Sequence, residues 1–163
     1  MKNCIYILAL IASFNIYSQN KYESDSLKAY ALINKEITFL KEKGVMENGL
    51  ISFFDDTGKI FIAWKEKGKY RAIKMHYKGE ECKKRSKQKL SNRDKKNIDN
   101  IFKNPQTLSE ISNLNCDERA HAFNKIHLKL IINNQEYHSS FYSHCLQNSK
   151  SAALTSLYFS LRK

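Results

Sequence analysis

The sequence predicts a single α+β domain, with an antiparallel sheet of about five strands and helices packed mainly on one face. Short alternating apolar runs between turn residues indicate strands, and longer segments with apolar residues three or four positions apart indicate helices. Their order is one helix, a three-stranded meander, one or two helices, a C-terminal hairpin and a closing helix. With 42% hydrophobic residues, 5 glycines and 1 proline among 163 residues, the composition fits one packed core and excludes a collagen-like or wholly disordered chain.

The first 18 residues have the three-part layout of a secretory signal peptide. Lys2 gives a positive start, the eleven residues Cys4–Phe14 are mostly apolar, and a more polar exit ends at Ser18. This run is too short to span a bilayer, because a transmembrane helix needs about 20 apolar residues. We therefore expect cleavage after Ser18, a mature domain over residues 19–163, a periplasmic or secreted location, and no integral membrane segment in the mature protein.

The first predicted element of the mature chain is an amphipathic helix from Ser26 to Lys43. Ser24 or Asp25 can cap its start, and Gly44 is a natural stop. Its apolar positions recur at steps of three and four residues, as expected for a helix that buries one side. These positions are Leu27, Tyr30, Ile33, Ile37 and Leu40.

Two turn signals, Asp55–Gly58 and Lys67–Gly68, predict the three-stranded meander. Pairing across the first turn places Phe53 opposite Ile60, and pairing across the second places Ile60 opposite Met75. Because side chains alternate along a strand, both hairpins then put one apolar set on the same face. That set is Ile51, Phe53, Ile60, Ile62, Trp64, Ile73 and Met75.

A strongly basic segment, Lys78–Asn100, follows the meander with nine Lys or Arg against four acidic residues. Its second half predicts a helix that Ser91 caps, with Asp94 three positions later to complete a capping box. Pro105 suits the start of a short second helix.

The C-terminal hairpin turns at Asn133–Asn134, since Asn tolerates the positive backbone angles of a two-residue turn. Its strands alternate, with Ile126, Leu128, Leu130 and Ile132 predicted to face inward and His127 and Lys129 outward. The closing helix is predicted from Ser149 to Lys163.

Removal of the leader leaves three cysteines, Cys82, Cys116 and Cys145. In an oxidising compartment two of them can pair, and the inward parity of Cys145 favours a Cys116–Cys145 disulfide. A Cys82–Cys116 bridge is the alternative. Lysines and an arginine beside Cys82 favour a reactive thiol, although an inert exposed thiol is equally consistent with the pattern.

Motifs that carry chemistry are absent from the sequence. There is no phosphate-binding glycine loop, no H-E-x-x-H, no G-x-S-x-G, no calcium loop and no C-x-x-C. We therefore predict no cofactor and no metal site, and we favour a protein that is not an enzyme. Catalytic residues that the fold brings together from distant positions form no recognisable motif in the sequence, so an enzyme stays an alternative.

The outward side of the C-terminal hairpin gives one set of candidate catalytic residues. Imidazoles on neighbouring strands can exchange protons at a phosphate, and a lysine can stabilise its negative charge. The alternative is that these histidines are solvated on an exposed strand. The candidates are His127, His138, His144 and Lys129.

A basic and aromatic sheet face gives the candidate partner-binding residues. Cations attract an acidic partner and aromatic rings offer flat contact area, which suits an acidic protein or a polyanionic glycan. Nucleic acid is disfavoured for an exported protein. A solvated lysine-rich face, or a face covered by the closing helix, is the alternative. The residues are Lys59, Phe61, Lys65, Tyr70, Lys74, Lys125, Lys129 and Tyr142.

The excess of 28 basic over 16 acidic residues and the missing motifs together favour an exported, non-catalytic protein that binds an acidic macromolecule, as an inhibitor or immunity protein does. A secreted phosphodiester hydrolase using the histidine candidates is the first alternative. An envelope-associated structural protein is the second. The sequence leaves the partner, the oligomeric state and the choice between periplasm and medium open.

Overall fold

The computed structural model describes residues 27, 28, 30–44, 49–55, 57–79, 81–106, 125–148 and 152–162. This part of the chain forms one α+β domain with three α-helices and a six-stranded antiparallel sheet, which confirms the predicted class with one strand more than expected. The predicted leader, Cys116 and the helix predicted beyond Pro105 lie outside the described residues or at their margin. No helix within these ranges is long and apolar enough to cross a membrane.

Helix α1 covers residues 27, 28 and 30–42 and precedes the whole sheet. A short 3-10 helix, Ser143–Asn148, follows the C-terminal hairpin. The remaining elements are β1 (Gly49–Asp55), β2 (Lys59–Glu66), β3 (Lys69–Lys78), β4 (Glu81–Lys87), α2 (Asn92–Lys103), β5 (Lys125–Ile132), β6 (Gln135–Tyr142) and α3 (Ala152–Arg162).

The meander and the C-terminal hairpin form one continuous sheet in the order β4-β3-β2-β1-β5-β6. Strand β1 joins them, because it pairs with β2 on one side and with β5 on the other, where Phe53 lies opposite Leu128. The predicted Asn133–Asn134 turn is confirmed, with positive φ angles of 49° and 66° at its two residues. The outer strands of the sheet are β4 and β6.

The predicted register is confirmed between β2 and β3 and wrong by one residue between β1 and β2. Ile60 lies opposite Met75 as expected, but its partner on β1 is Phe54 and not Phe53. The turn is one residue longer than expected. It is held by the Asp55 carboxylate, whose Oδ1 accepts hydrogen bonds from the Thr57 and Lys59 amides at 3.0 and 3.2 Å, and by Gly58, which takes a positive φ of 79°. The shift by one residue moves Phe53 to the other face of the sheet.

Both faces of the sheet are covered, which corrects the expectation of one apolar face. Helix α1 packs on the face that carries Leu50, Ile60 and Trp64, which we call the α1 face. Helices α2 and α3 pack on the face that carries Phe53 and Leu128, which we call the α2/α3 face. The central strands are therefore buried on both sides, and their sequences are almost continuously apolar and do not alternate cleanly.

Helix α2 starts at the predicted capping box. The Ser91 hydroxyl accepts a hydrogen bond from the Asp94 amide at 3.1 Å, and the Asp94 carboxylate accepts one from the Ser91 amide at 2.9 Å. Burial raises the pKa of the Asp94 carboxyl, but hydrogen bonds to its carboxylate from the Ser91 hydroxyl, from Ser160 and from the Ser91 amide hold it below its ordinary value. Ile98 and Ile101 then face the sheet and are fully buried.

Candidate docking groove

Among the described residues, one corner of the α2/α3 face is left uncovered beyond the end of α3. The last turn of α3 reaches Lys74, whose Nζ donates a hydrogen bond to the Leu161 carbonyl at 3.3 Å. Past this contact, neighbouring side chains of β2, β3 and β4 line a groove of about 240 Å³, which we call the basic groove. It is lined by Lys59, Lys74, Met75, His76, Lys84 and Ser86.

The strand registers explain why these side chains meet. Lys59 lies opposite His76, and His76 in turn lies opposite Lys84 across the next pair of strands. Residues directly opposite each other in an antiparallel sheet share a face, so the three side chains form a row across the sheet. Lys74 lies two residues from His76 on β3 and opposite Ser86, which widens the row into a patch.

The groove is electropositive and carries no carboxylate among its lining residues. In the described ranges of the chain, Lys59, Lys74 and Lys84 take part in no ion pair, whereas Arg85 pairs with Glu36 at 2.8 Å. Three ammonium groups that form no ion pair with the described residues surround one concave surface, where they raise the local concentration of an anionic partner and speed its association.

A narrow hollow adjoins the basic groove between the end of α3 and the β1–β2 turn. Lys59 and Lys74 line both spaces, and Phe53, Tyr158 and Arg162 are among the other residues of the hollow. The hollow is largely apolar, so it can receive an apolar group of a partner held in the groove. Asp55 and Arg162 also line the hollow, so it carries charges of both signs.

The residues predicted to bind a partner do not form one surface. Lys59 and Lys74 lie together in the basic groove, as expected. Phe61 is only 5% exposed, because α3 covers this part of the α2/α3 face, so its predicted role as a surface anchor is wrong. Lys129 is 4% exposed beneath α1 on the opposite face of the sheet, so its predicted exposure is wrong as well.

The remaining predicted binding residues lie at two other places. Lys65 and Tyr70 are opposite each other at the far end of the β2–β3 hairpin, with the Lys65 Nζ 5.3 Å from the Tyr70 ring centroid. The Tyr70 hydroxyl donates to Asp99 of α2, and burial together with this carboxylate raises the tyrosine pKa. Lys125 and Tyr142 lie opposite each other at the open end of the β5–β6 hairpin.

Three of the four candidate catalytic residues meet under α1, in what we call the histidine cluster. His127 and His138 flank the Tyr30 ring, with centroid distances of 5.4 and 5.5 Å. The Ser140 hydroxyl lies 2.8 Å from the His127 Nδ1 and 3.1 Å from the Tyr30 hydroxyl. Burial, and then the charge of Lys125, lower the pKa of His127 from 6.5 to about 4, so its ring is neutral at neutral pH.

The cationic member of the histidine cluster is already engaged. Lys129 Nζ donates to Asn34 Oδ1 at 2.7 Å and pairs with Glu136 Oε2 at 2.8 Å. The hydrogen bond and charge of Lys129 hold the Glu136 pKa below its ordinary value. His144, the fourth candidate, stands apart and stacks on Tyr142. No group of three or more potential metal ligands occurs in the described part of the chain.

Sequence reasoning missed the contribution of β4 to the groove. The segment Glu81–Lys87 is exposed at every position, so it lacks the apolar alternation that marks a strand. A signal was nevertheless present, because Gly79 follows Lys78 immediately after β3 and takes a positive φ of 63° in the turn. A hairpin at Gly79 places β4 beside β3, but straight pairing from Lys78 and Glu81 would set Lys83 opposite His76. The register shift between His76 and Tyr77 brings Lys84 there instead, and the sequence gives no sign of it.

The two described cysteines differ in environment. Cys145 is 1% exposed, as its predicted inward parity requires. Cys82 is the free, exposed cysteine among the described residues, and its Sγ donates to the Lys84 carbonyl at 3.5 Å. The Cys116–Cys145 bridge stays a prediction, since Cys116 lies outside the described residues.

No protein-family model matches the chain, and neither a curated protein nor a solved structure shows significant similarity to it.

Proposed function

We propose that the mature chain is an exported, non-catalytic protein that binds an acidic macromolecule through the basic groove, in the manner of an inhibitor or immunity protein. The observation that carries the proposal is the convergence of Lys59, Lys74 and Lys84 around one groove without a carboxylate partner in the described part of the chain. Charge steers the encounter, and apolar contact in the adjoining hollow slows dissociation.

A comparison of buried and exposed lysines in the domain supports the proposal. Where a cation of this domain is buried, as Lys129 is, it is compensated by an acidic side chain. The groove lysines stay near solvent, where an unpaired cation costs little, and they lie on three adjacent strands that hold them in fixed register. A rigid set of cations is a surface on which an acidic partner loses little orientational freedom.

The test is a capture experiment with the tagged mature chain from Gln19, using envelope and growth medium of the source organism. The wild-type chain is expected to retain one stoichiometric acidic partner at low salt and release it at high salt, since exposed ion pairs are screened. The double variant Lys59→Glu/Lys84→Glu is expected to lose this partner.

A matched control changes the same net charge at the other end of the β2–β3 hairpin. Lys67→Glu/Lys69→Glu carries two charge reversals at exposed positions away from the groove and is expected to keep the partner. Loss of capture in both double variants, or in neither, contradicts a specific role for the groove. Circular dichroism of each variant checks that the fold is intact.

A phosphodiester hydrolase is the second candidate, favoured by the approach of His127 and His138 to the same Tyr30 ring. The neutral imidazole of His127 could act as the base, and the exposed imidazole of His138 as the acid. Against it, the Lys129 cation is held by Glu136 and is not available to a phosphate. Hydrolysis of bis(p-nitrophenyl) phosphate that disappears in His127→Gln, with the fold retained, would favour the enzyme over the binding protein.

A further inference from the structure

Strand β4 is an outer strand of the sheet formed by the described residues. All seven of its residues are exposed, and within the described ranges no strand pairs with its outer side. The strand carries four cations and one acidic residue, whereas the opposite outer strand β6 contains neither Lys nor Arg. The two edges of the sheet therefore differ in charge as well as in exposure.

The register with β3 shows which backbone groups of β4 point outward. The Gln88 amide donates to the Ala72 carbonyl at 2.9 Å, so this opposed pair is a hydrogen-bonded one. Bonded and non-bonded pairs alternate along an antiparallel ladder, so Ser86 and Lys84 also face β3 with their amides and carbonyls. Arg85 and Lys87 lie between them, and their N–H and C=O groups point away from the sheet.

Alternate side chains of β4 point to opposite faces of the sheet, so only every second one lies on the side of the basic groove. Lys84 and Ser86 point into the basic groove. Arg85 points to the α1 face, where Glu36 binds it at 2.8 Å and its guanidinium lies 5.4 Å from the Phe39 ring centroid. A strand added beside β4 would thus present alternate residues to the groove lysines, and acidic side chains at those positions would find uncompensated cations.

The same charges argue against a second copy of the chain as the occupant. Two β4 strands placed edge to edge would bring their lysines into like-charge opposition, which is how edge strands avoid self-association. A polyanionic glycan satisfies the lysines but has no regular row of amides to match the outward N–H and C=O groups. The occupant that satisfies both features is an extended acidic segment of another protein.

We propose that β4 takes up such an acidic segment as a seventh strand of the sheet, with acidic side chains at alternate positions directed to Lys59, Lys74 and Lys84. The inference rests on the proposed binding function and specifies how the partner is held. Backbone pairing to Arg85 and Lys87 supplies affinity, and the groove supplies selectivity for acidic sequences.

The test uses a labelled ten-residue peptide with Asp at alternate positions and Val and Thr between, titrated against the mature chain by fluorescence anisotropy at low salt. Lys87→Pro removes one outward N–H, and Lys87→Ala removes only the charge, so their comparison isolates the backbone bond. The outward amide makes no bond to β3, so proline is compatible with the edge. We expect Lys87→Pro to bind about 10-fold more weakly than Lys87→Ala.

A second measurement keeps the test valid if Lys87→Pro fails to fold. The same peptide, N-methylated at alternate residues, loses its own donors on one edge and is expected to bind the wild-type chain at least about 10-fold more weakly than the parent peptide. Methylation on the other alternate residues is the matched control, because only one edge of the peptide can face β4.

The outcomes separate strand addition from charge capture. Equal binding by both methylated peptides, or by Lys87→Pro and Lys87→Ala, overturns strand addition. If Lys59→Glu/Lys84→Glu still abolishes that binding, the basic groove remains the site and the proposed function stands. Binding of a sulfated glycan such as heparin with no binding of the peptide overturns strand addition and assigns the groove to a polyanion. No binding of either probe contradicts both proposals.

Discussion

The buried imidazole of His127 makes a quantitative prediction for stability against pH. Its pKa is lowered from 6.5 to about 4, because the ring is only 3% exposed and because Lys125 is nearby. Between these two pH values the unfolded chain binds a proton that the folded chain excludes, so the free energy of unfolding falls as the pH falls. Above pH 6.5 both states are neutral at this ring, and the stability linked to it is fully present.

The expected size follows from the two pKa values. Lowering the pH from 7 to 5 should reduce the free energy of unfolding by about 2 kcal/mol through His127 alone, with a limit of about 3 kcal/mol near pH 4. The carboxyl groups with lowered pKa, Asp94 and Glu136, have ordinary values of 3.8 and 4.5 and therefore lose stabilisation mainly at lower pH. Between pH 7 and pH 5 the loss of stability due to His127 is therefore measured before most of the loss due to Asp94 and Glu136 sets in.

The assay compares urea unfolding of the wild-type chain and His127→Gln at pH 7 and pH 5. Glutamine stays neutral, and its amide can still bond the Ser140 hydroxyl. We expect the variant to be less stable at pH 7 but to lose about 2 kcal/mol less than the wild type on acidification. The same loss in both proteins would refute the assignment of a buried neutral ring at this position.

Three further predictions concern the helix cap, a turn and the thiols. Ser91→Ala removes the hydroxyl of the α2 capping box and is expected to lower the free energy of unfolding by about 1 kcal/mol, while Asn92→Ala, one position on, should leave the urea midpoint nearly unchanged. Gly58→Ala is expected to lower the free energy of unfolding by more than about 2 kcal/mol, since φ is +79° and a Cβ would overlap the Tyr77 carbonyl. Gly44→Ala, where φ is +61° and a Cβ would meet open space, should lower it by only about 1 kcal/mol. Equal losses in the two variants would contradict the clash at Gly58. Maleimide is expected to label Cys82 in the native protein, and a non-reduced peptide map should link Cys116 to Cys145, whereas a Cys82–Cys116 peptide would exclude that pairing.

The elements that sequence reasoning predicted well carry local signals. The α2 cap, the Asn133–Asn134 turn and the β2–β3 register each depend on a few neighbouring residues whose geometry is set by their own chemistry. The β1–β2 register was missed because the turn holds one residue more than the spacing indicates, a geometry stabilised by the Asp55 carboxylate.

The site was harder to predict because exposure depends on what the helices cover. Phe61 and Lys129 alternate with inward residues on their strands, so each was expected to face solvent, yet each lies under a helix. A sheet covered on both faces removes the rule that every second residue is exposed. Lys59 and Lys74 were also predicted to face outward, and they are not covered because α3 ends just before their corner of the sheet. No strand pattern reveals where that helix ends.

The contrast between the two ends of the sheet identifies which polar residues serve the fold. Near β6, His127 is bonded to Ser140 and Lys129 to Asn34 and Glu136, so their polar groups are compensated within the domain. Such compensation is required there, since a buried charge without a partner is strongly destabilising. Near β4, exposure removes that requirement, and the lysines of the basic groove have no carboxylate partner in the described chain. Folding accounts for the first set of residues but not for the arrangement of the second, which is why we propose binding for the groove and structural support for the histidine cluster.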